Sequence, residues 1–113
     1  MDKTQDITEL PPDPSLPPFK IIIKGPCDII LSRERSFIVG TLGGKKRCGG
    51  LGDILAGVVS ACGLWDFDYG LPLASHIVRT ATRAAYDSQG RGMTAPCVIQ
   101  ELARTVKRLE TLV

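Results

Sequence analysis

The residue types that could do chemistry gather in residues 43–57, which read GGKKRCGGLGDILAG. The cations Lys45, Lys46 and Arg47 run through Cys48 into Gly49, Gly50, Leu51 and Gly52, and one carboxylate, Asp53, follows. After it the chain is small and apolar through Ile54, Leu55, Ala56, Gly57, Val58, Val59, Ser60 and Ala61, long enough for a buried helix. Glycines let a ligand approach the peptide units closely. A glycine turn opening a helix leaves the first N–H groups unpaired, and these donors with the helix dipole favour an anion. The chemistry on offer is a phosphate site with an acid at its lip. The same residues would equally serve as a plain turn with Asp53 capping the helix. The pattern is not a P-loop, because no Lys-Ser/Thr pair follows the last glycine. Nor is it the dinucleotide fingerprint, because a basic linker stands where a strand should enter the glycines.

A second group lies upstream. Lys24, Gly25 and Asp28 form Lys-Gly-x-x-Asp, with Pro26 and Cys27 between. Taken alone, this is a solvated lysine at a strand end and an aspartate in a turn. His76 is the only histidine and nothing pairs it with a nucleophile, so it is expected on the surface or in a cap. Cys27, Cys48, Cys62 and Cys97 lack Cys-x-x-Cys spacing, so reduced thiols rather than a zinc site are expected.

Several elements must position these groups. Residues 1–18 are acidic and proline-rich and are expected as a disordered or extended arm, with residues 19–113 forming one domain. FKIIIK at 19–24 reads as a strand buried on both faces, as in a largely parallel sheet. Residues 28–31 and 37–40 read as further short strands, with hairpin connections at the edge of a larger sheet. Residues 49–65 form the glycine turn and first helix, whose Gly57, Ser60, Ala61 and Gly63 permit close packing on the sheet. Trp65, in the acidic aromatic loop 65–70, is expected as a core or rim anchor. Pro72 opens a helix over 73–88, with Leu73, Ile77, Val78, Ala81 and Ala85 on one face and His76, Arg79 and Arg83 mostly on the other. Gly90, Arg91 and Gly92 end it. Thr94 caps a third helix with Val98, Leu102, Val106, Leu109 and Val113 on its apolar face and Glu101, Arg104, Lys107 and Arg108 on its wet side. The fold class is α/β, short strands followed by three helices flanking the sheet.

A chain of 113 residues suffices for one core, and 43% hydrophobic with 23% charged residues is the composition of a soluble globular protein. A net charge of +2 gives no strong field for nucleic acid or membrane. No apolar run nears the ~20 residues of a membrane span. Asp2, Asp6 and Glu9 mark a start unlike a signal or transit peptide, so a cytoplasmic setting is expected rather than a mitochondrial one.

RCGGLGDILAG, with IIIKGPCDII before it and the Arg-rich helix and RGMTAPCVI after it, resembles the ATP-dependent NAD(P)H-hydrate dehydratases of the ribokinase-like superfamily. The resemblance runs from about Phe19 to Leu109. Pro96-Cys97 departs from the Ser/Thr-Asp usual at the start of the last helix. The resemblance implies a partial ribokinase-like fold and an ATP site lined by Lys24, Gly25, Pro26, Cys27 and Asp28 and by Gly43, Gly44, Lys45, Lys46, Arg47, Cys48, Gly49, Gly50, Leu51 and Gly52. It implies Mg²⁺ bridging the phosphates, amides of the Gly50–Gly52 turn stabilising the γ-phosphoryl oxygens, and Asp53 at the substrate as general base. The implied substrate is hydrated NADH or NADPH, whose ring hydroxyl is phosphorylated and expelled as phosphate. The match covers only the C-terminal part of the family's domain. A homo-oligomer or pairing with the missing N-terminal half would then complete the sheet and site. Two alternatives stay open: a ribokinase-like small-molecule kinase, and a non-catalytic nucleotide-binding or interaction module.

Overall fold

A computed structural model describes residues 6–111. Four short strands come first: β1 (Ile7–Leu10), β2 (Ile21–Ile23), β3 (Asp28–Leu31) and β4 (Ser36–Val39). Three helices follow: α1 (Leu51–Trp65), α2 (Gly70–Gln89) and α3 (Ala95–Thr111), with a 3₁₀ turn at Gly90–Gly92 after α2. The strands make one sheet in the order β1-β4-β3-β2, and every neighbouring pair is antiparallel.

This corrects the expectation of a largely parallel sheet. The Ile run of β2 lies on an edge, half-buried, with Ile23 exposed; three β-branched residues fit an edge strand with one covered face as well as a central one. The first eighteen residues are likewise not all irregular. Ile7–Leu10 pairs with β4, Ile7 opposite Val39 and Leu10 opposite Ser36, and the Gly40 amide donates to the Asp6 carbonyl at 2.8 Å. Residues 1–5 of that segment, and Val113 at the end of the expected apolar stripe of the last helix, lie outside the described residues.

Alternation sets one face of the sheet against the helices. In β3, Asp28 and Ile30 point inward; their register partners Val39 and Phe37 do the same from β4. Ile30, Phe37 and Val39 pack with Leu71 of α2, with Ile7, Ile22 and Val59 around them. α2 is the central helix, buried at Ala74, Ser75, Ile77, Val78, Ala81, Thr82 and Ala85. Its Pro72 sits in the first turn, where the missing N–H costs nothing.

α1 and α3 pack on α2. One seam joins Ala81 and Ala85 to Met93, Val98 and Ile54; the other joins Ala74 and Ile77 to Cys62, Val58, Leu102, Val106 and Leu109. Only Cys62 of α1 is buried. The small positions Ala56, Gly57, Ser60 and Ala61 face outward, and a Cβ at Gly57 would meet nothing within 4 Å. The expected close packing of that face on the sheet is therefore absent. Trp65, 68% exposed, is no anchor; Tyr69 is the aromatic that packs, its ring 5.5 Å from Phe37. Glu101, expected on the wet side of α3, is buried and accepts a bond from Arg104 at 2.8 Å.

Candidate functional site

A cleft of about 720 Å³ opens where the β2–β3 turn, the segment between β4 and α1, the first turn of α1 and the middle of α2 converge. Leu42, Leu51, Leu55 and Val78 give it apolar surface; Lys24, Lys46 and Arg47 bring positive charge. Gly25, Gly43, Gly44, Gly50 and Gly52 bring exposed backbone.

The first turn of α1 supplies a donor set. Gly50 stands at its N-cap in the left-handed region (φ 95°), a conformation costly for any residue with a Cβ. A Cβ there would also meet the Ala95 Cβ at 3.2 Å. No side chain caps the helix, and its first intrahelical bond runs from the Ile54 amide to the Gly50 carbonyl at 3.0 Å. The amides of Leu51, Gly52 and Asp53 are thus left over at the helix start, where an anion is favoured. Gly44 lets the segment lie against α2: a Cβ there would stand 3.1 Å from the Thr82 methyl and 3.2 Å from the Tyr86 Cβ.

The other wall is fixed by a buried charge cluster. β3 alternation draws Asp28 inward, where its side chain is wholly buried. It accepts bonds from Lys24 Nζ at 2.7 Å, Ser75 Oγ at 2.6 Å and Arg79 Nη1 at 3.1 Å. Burial pushes its carboxyl up, but the bonds from Lys24 and Ser75 and the charges of Lys24 and Arg79 outweigh that and hold it below the ordinary carboxylate range. Arg79 also donates to the Thr41 carbonyl at 2.5 Å, to the Gly25 carbonyl at 3.3 Å and to the Pro26 carbonyl. Beside it the Thr41 hydroxyl meets His76 Nδ1 at 2.7 Å, and burial pushes the His76 imidazole down, against a smaller upward pull from Asp6.

Of the residues singled out in the sequence, Lys24, Gly25, Pro26, Gly43, Gly44, Lys46, Arg47, Cys48, Gly50, Leu51 and Gly52 all line the cleft. Cys27, Asp28, Lys45, Gly49 and Asp53 do not. Asp28 stands behind the wall as its anchor, and Asp53 is exposed on the first turn of α1, beside the lining residue Gly52. Lys46 is tied by its ammonium to the Arg91 carbonyl, whereas Arg47 makes no ion pair among the described residues. Sequence reading missed Arg79, Thr82, Val78, Leu55 and Leu42. His76 sits in neither cap nor open surface but beneath Thr41. The four cysteines are free thiols.

Mg²⁺ finds no protein donor set here. No carboxylate lines the cleft, the Asp28 oxygens are taken, and no group of three or more His, Cys, Asp or Glu gathers among the described residues. The residues present do not fit a side-chain-held metal.

The decisive comparison is with longer proteins. The chain is similar to ATP-dependent (S)-NAD(P)H-hydrate dehydratases. The Caenorhabditis elegans protein is 29% identical over 104 residues, the Danio rerio protein 29% over 105 and the Mycosarcoma maydis protein 29% over 116. Each alignment covers 79–80% of this chain and 31–34% of the relative. The chain thus spans about a third of the length of the curated relatives it matches. No protein-family model matches it.

Proposed function

We propose that the cleft binds the adenine nucleotide of an ATP-dependent NAD(P)H-hydrate dehydratase with a ribokinase-like fold, of which this chain forms one part. The observation that carries this is convergence. Two separate segments, 24–26 and 43–52, contribute to one cleft and carry the basic and glycine residues on which the sequence resemblance to the family rests. Apolar surface suits a base, the basic rim and the free amides of α1 suit phosphates, and 720 Å³ is in the range of small-molecule sites.

In this reading the leftover amides of the first turn stabilise charge developing on the γ-phosphoryl oxygens. Asp53, exposed one residue beyond the lining, takes the proton from the ring hydroxyl of hydrated NADH or NADPH as that oxygen attacks. Phosphorylation makes the hydroxyl a leaving group; the ring nitrogen pair expels phosphate and loss of a neighbouring proton restores the dihydropyridine. No step is assigned to a metal held by this chain.

The reading also requires more protein. The outward face of α1, next to the proposed base, carries small and apolar residues that nothing covers among the described residues. We propose that a further polypeptide, or a second copy, covers it and completes the substrate pocket. Residues 19–109 grafted in place of the matching third of the zebrafish relative test the whole reading. With ATP, Mg²⁺ and hydrated NADH, the chimera restores dihydronicotinamide absorbance, and Asp53→Ala lowers the rate by about 100-fold or more without unfolding it. A folded chimera without turnover, or one indifferent to Asp53→Ala, contradicts the proposal.

A further inference from the structure

Arg79 reaches the two lining segments from the helix behind them. Its Nε donates to the Thr41 carbonyl at 2.5 Å, at the start of the β4–α1 segment. Its Nη atoms donate to the Gly25 and Pro26 carbonyls in the β2–β3 turn and to Asp28 Oδ1 at 3.1 Å. The side chain is 13% exposed, and its charge is already met by the wholly buried Asp28. A guanidinium used up in this way has no free fork for a phosphate, although it borders the cleft. Of the other lining cations, Arg47 makes no ion pair among the described residues, while Lys24 and Lys46 each hold one partner, Asp28 and the Arg91 carbonyl, and as three-donor ammoniums can still meet a ligand.

From this we infer that Arg79 is a positioning residue that clamps the β2–β3 turn and the β4–α1 segment together, so that both walls of the cleft take up their binding geometry as one unit. The inference deepens the nucleotide reading and rests on it for its ligand. Planarity is what the task needs. Three carbonyls and one carboxylate oxygen in different directions match a rigid, five-donor fork, and a lysine ammonium with three donors cannot reach them together. The clamp is also braced. Ser75, one turn earlier on α2, holds Asp28 Oδ2 at 2.6 Å while Arg79 takes Oδ1. The carboxylate therefore fixes the guanidinium, and the guanidinium fixes the backbone.

The test uses the full chain with Arg79→Lys, which keeps the charge, and Ser75→Ala, which weakens the Asp28 brace without touching a loop carbonyl. Amide hydrogen exchange is read without ligand. Arg79→Lys accelerates exchange in both 25–28 and 40–44 while the amides of Ile30 and Phe37 keep their protection; Ser75→Ala, which loosens Asp28 and through it the guanidinium, accelerates the same two segments to a smaller extent. Acceleration in one segment only, in neither, or throughout the chain overturns the clamp. Nucleotide affinity is the second readout. Arg79→Lys weakens ADP and ATP by the same factor, about tenfold, because geometry and not a phosphate contact is lost. Unchanged affinity, or a loss much larger for ATP than for ADP, overturns it too. If the unaltered chain binds neither nucleotide, the nucleotide reading fails and the exchange result alone decides the clamp.

Discussion

At the residue scale the site rests on Asp28. A carboxylate drawn to a core-facing position by strand alternation is tolerable only because Lys24, Ser75 and Arg79 meet it. Asp28→Asn leaves Arg79 without its counter-charge and should cost about 3 kcal/mol, read from the urea midpoint. Acid has a defined effect. The folded chain holds Asp28 below its ordinary range, so its contribution is complete at neutral pH and is lost as pH falls below about 4 through the folded value. His76 acts earlier: its folded value is lowered, so below about pH 6.5 the unfolded chain takes up a proton that the folded one resists. Stability thus declines in two stages on acidification. His76→Gln removes the first and Asp28→Asn the second, and a midpoint flat from pH 7 to 5 in the unaltered chain contradicts the His76 assignment. Much of the cleft lining was legible in the sequence, because glycines and basic residues near a helix start stand out by local rules. Arg79 was hidden. Helical spacing placed it on the polar side of α2, which is right, but only the approach of the Gly25–Pro26 backbone and Thr41 turns that side inward.

At the scale of elements, the three helices followed from periodicity and the short strands from turn residues, although no side chain caps α1 or α2 and α2 starts at Gly70, ahead of the expected start at 73. Sheet direction did not follow, because β2 makes the same isoleucine run whether its neighbour runs with it or against it. Packing partners were not legible: the sequence pointed to Gly57 for close approach and left Gly70 in a loop, yet a Cβ at Gly70 would stand 2.3 Å from the Cys62 carbonyl oxygen, where α2 starts against the last turn of α1. Gly70→Ala pushes the two helices apart and should cost about 2 kcal/mol or more. Gly57 is the opposite case. With open space at its Cβ position, Gly57→Ala should stabilise the chain by up to about 1 kcal/mol through helix propensity alone. A loss of stability at Gly57 would mean that α1 is packed on that side.

At the scale of the molecule, the fold is one sheet with α2 laid across it and α1 and α3 on α2, leaving the outer side of α1 uncovered among the described residues. Leu64 and Trp65 on that helix are 88% and 68% exposed, with Phe67 beyond it at 68%. This exposed apolar surface is expected to make the isolated chain self-associate. Light scattering across a hundredfold concentration range should show rising mass, and Trp65→Ser should lower it; a strict monomer at all concentrations contradicts the expectation. In the proposed reading the nucleotide sits in a cleft lined by this chain's own residues, so its binding is the claim that can be met most directly. The measurement is a titration of the ¹⁵N-labelled chain with ADP, followed amide by amide. Binding in the cleft shifts Gly25, Gly43, Gly44, Gly50, Leu51 and Gly52 together along one saturating curve and leaves the β1 edge still. No shift at millimolar ADP, or shifts gathered at Trp65 and Phe67 instead, would contradict the assignment of the cleft.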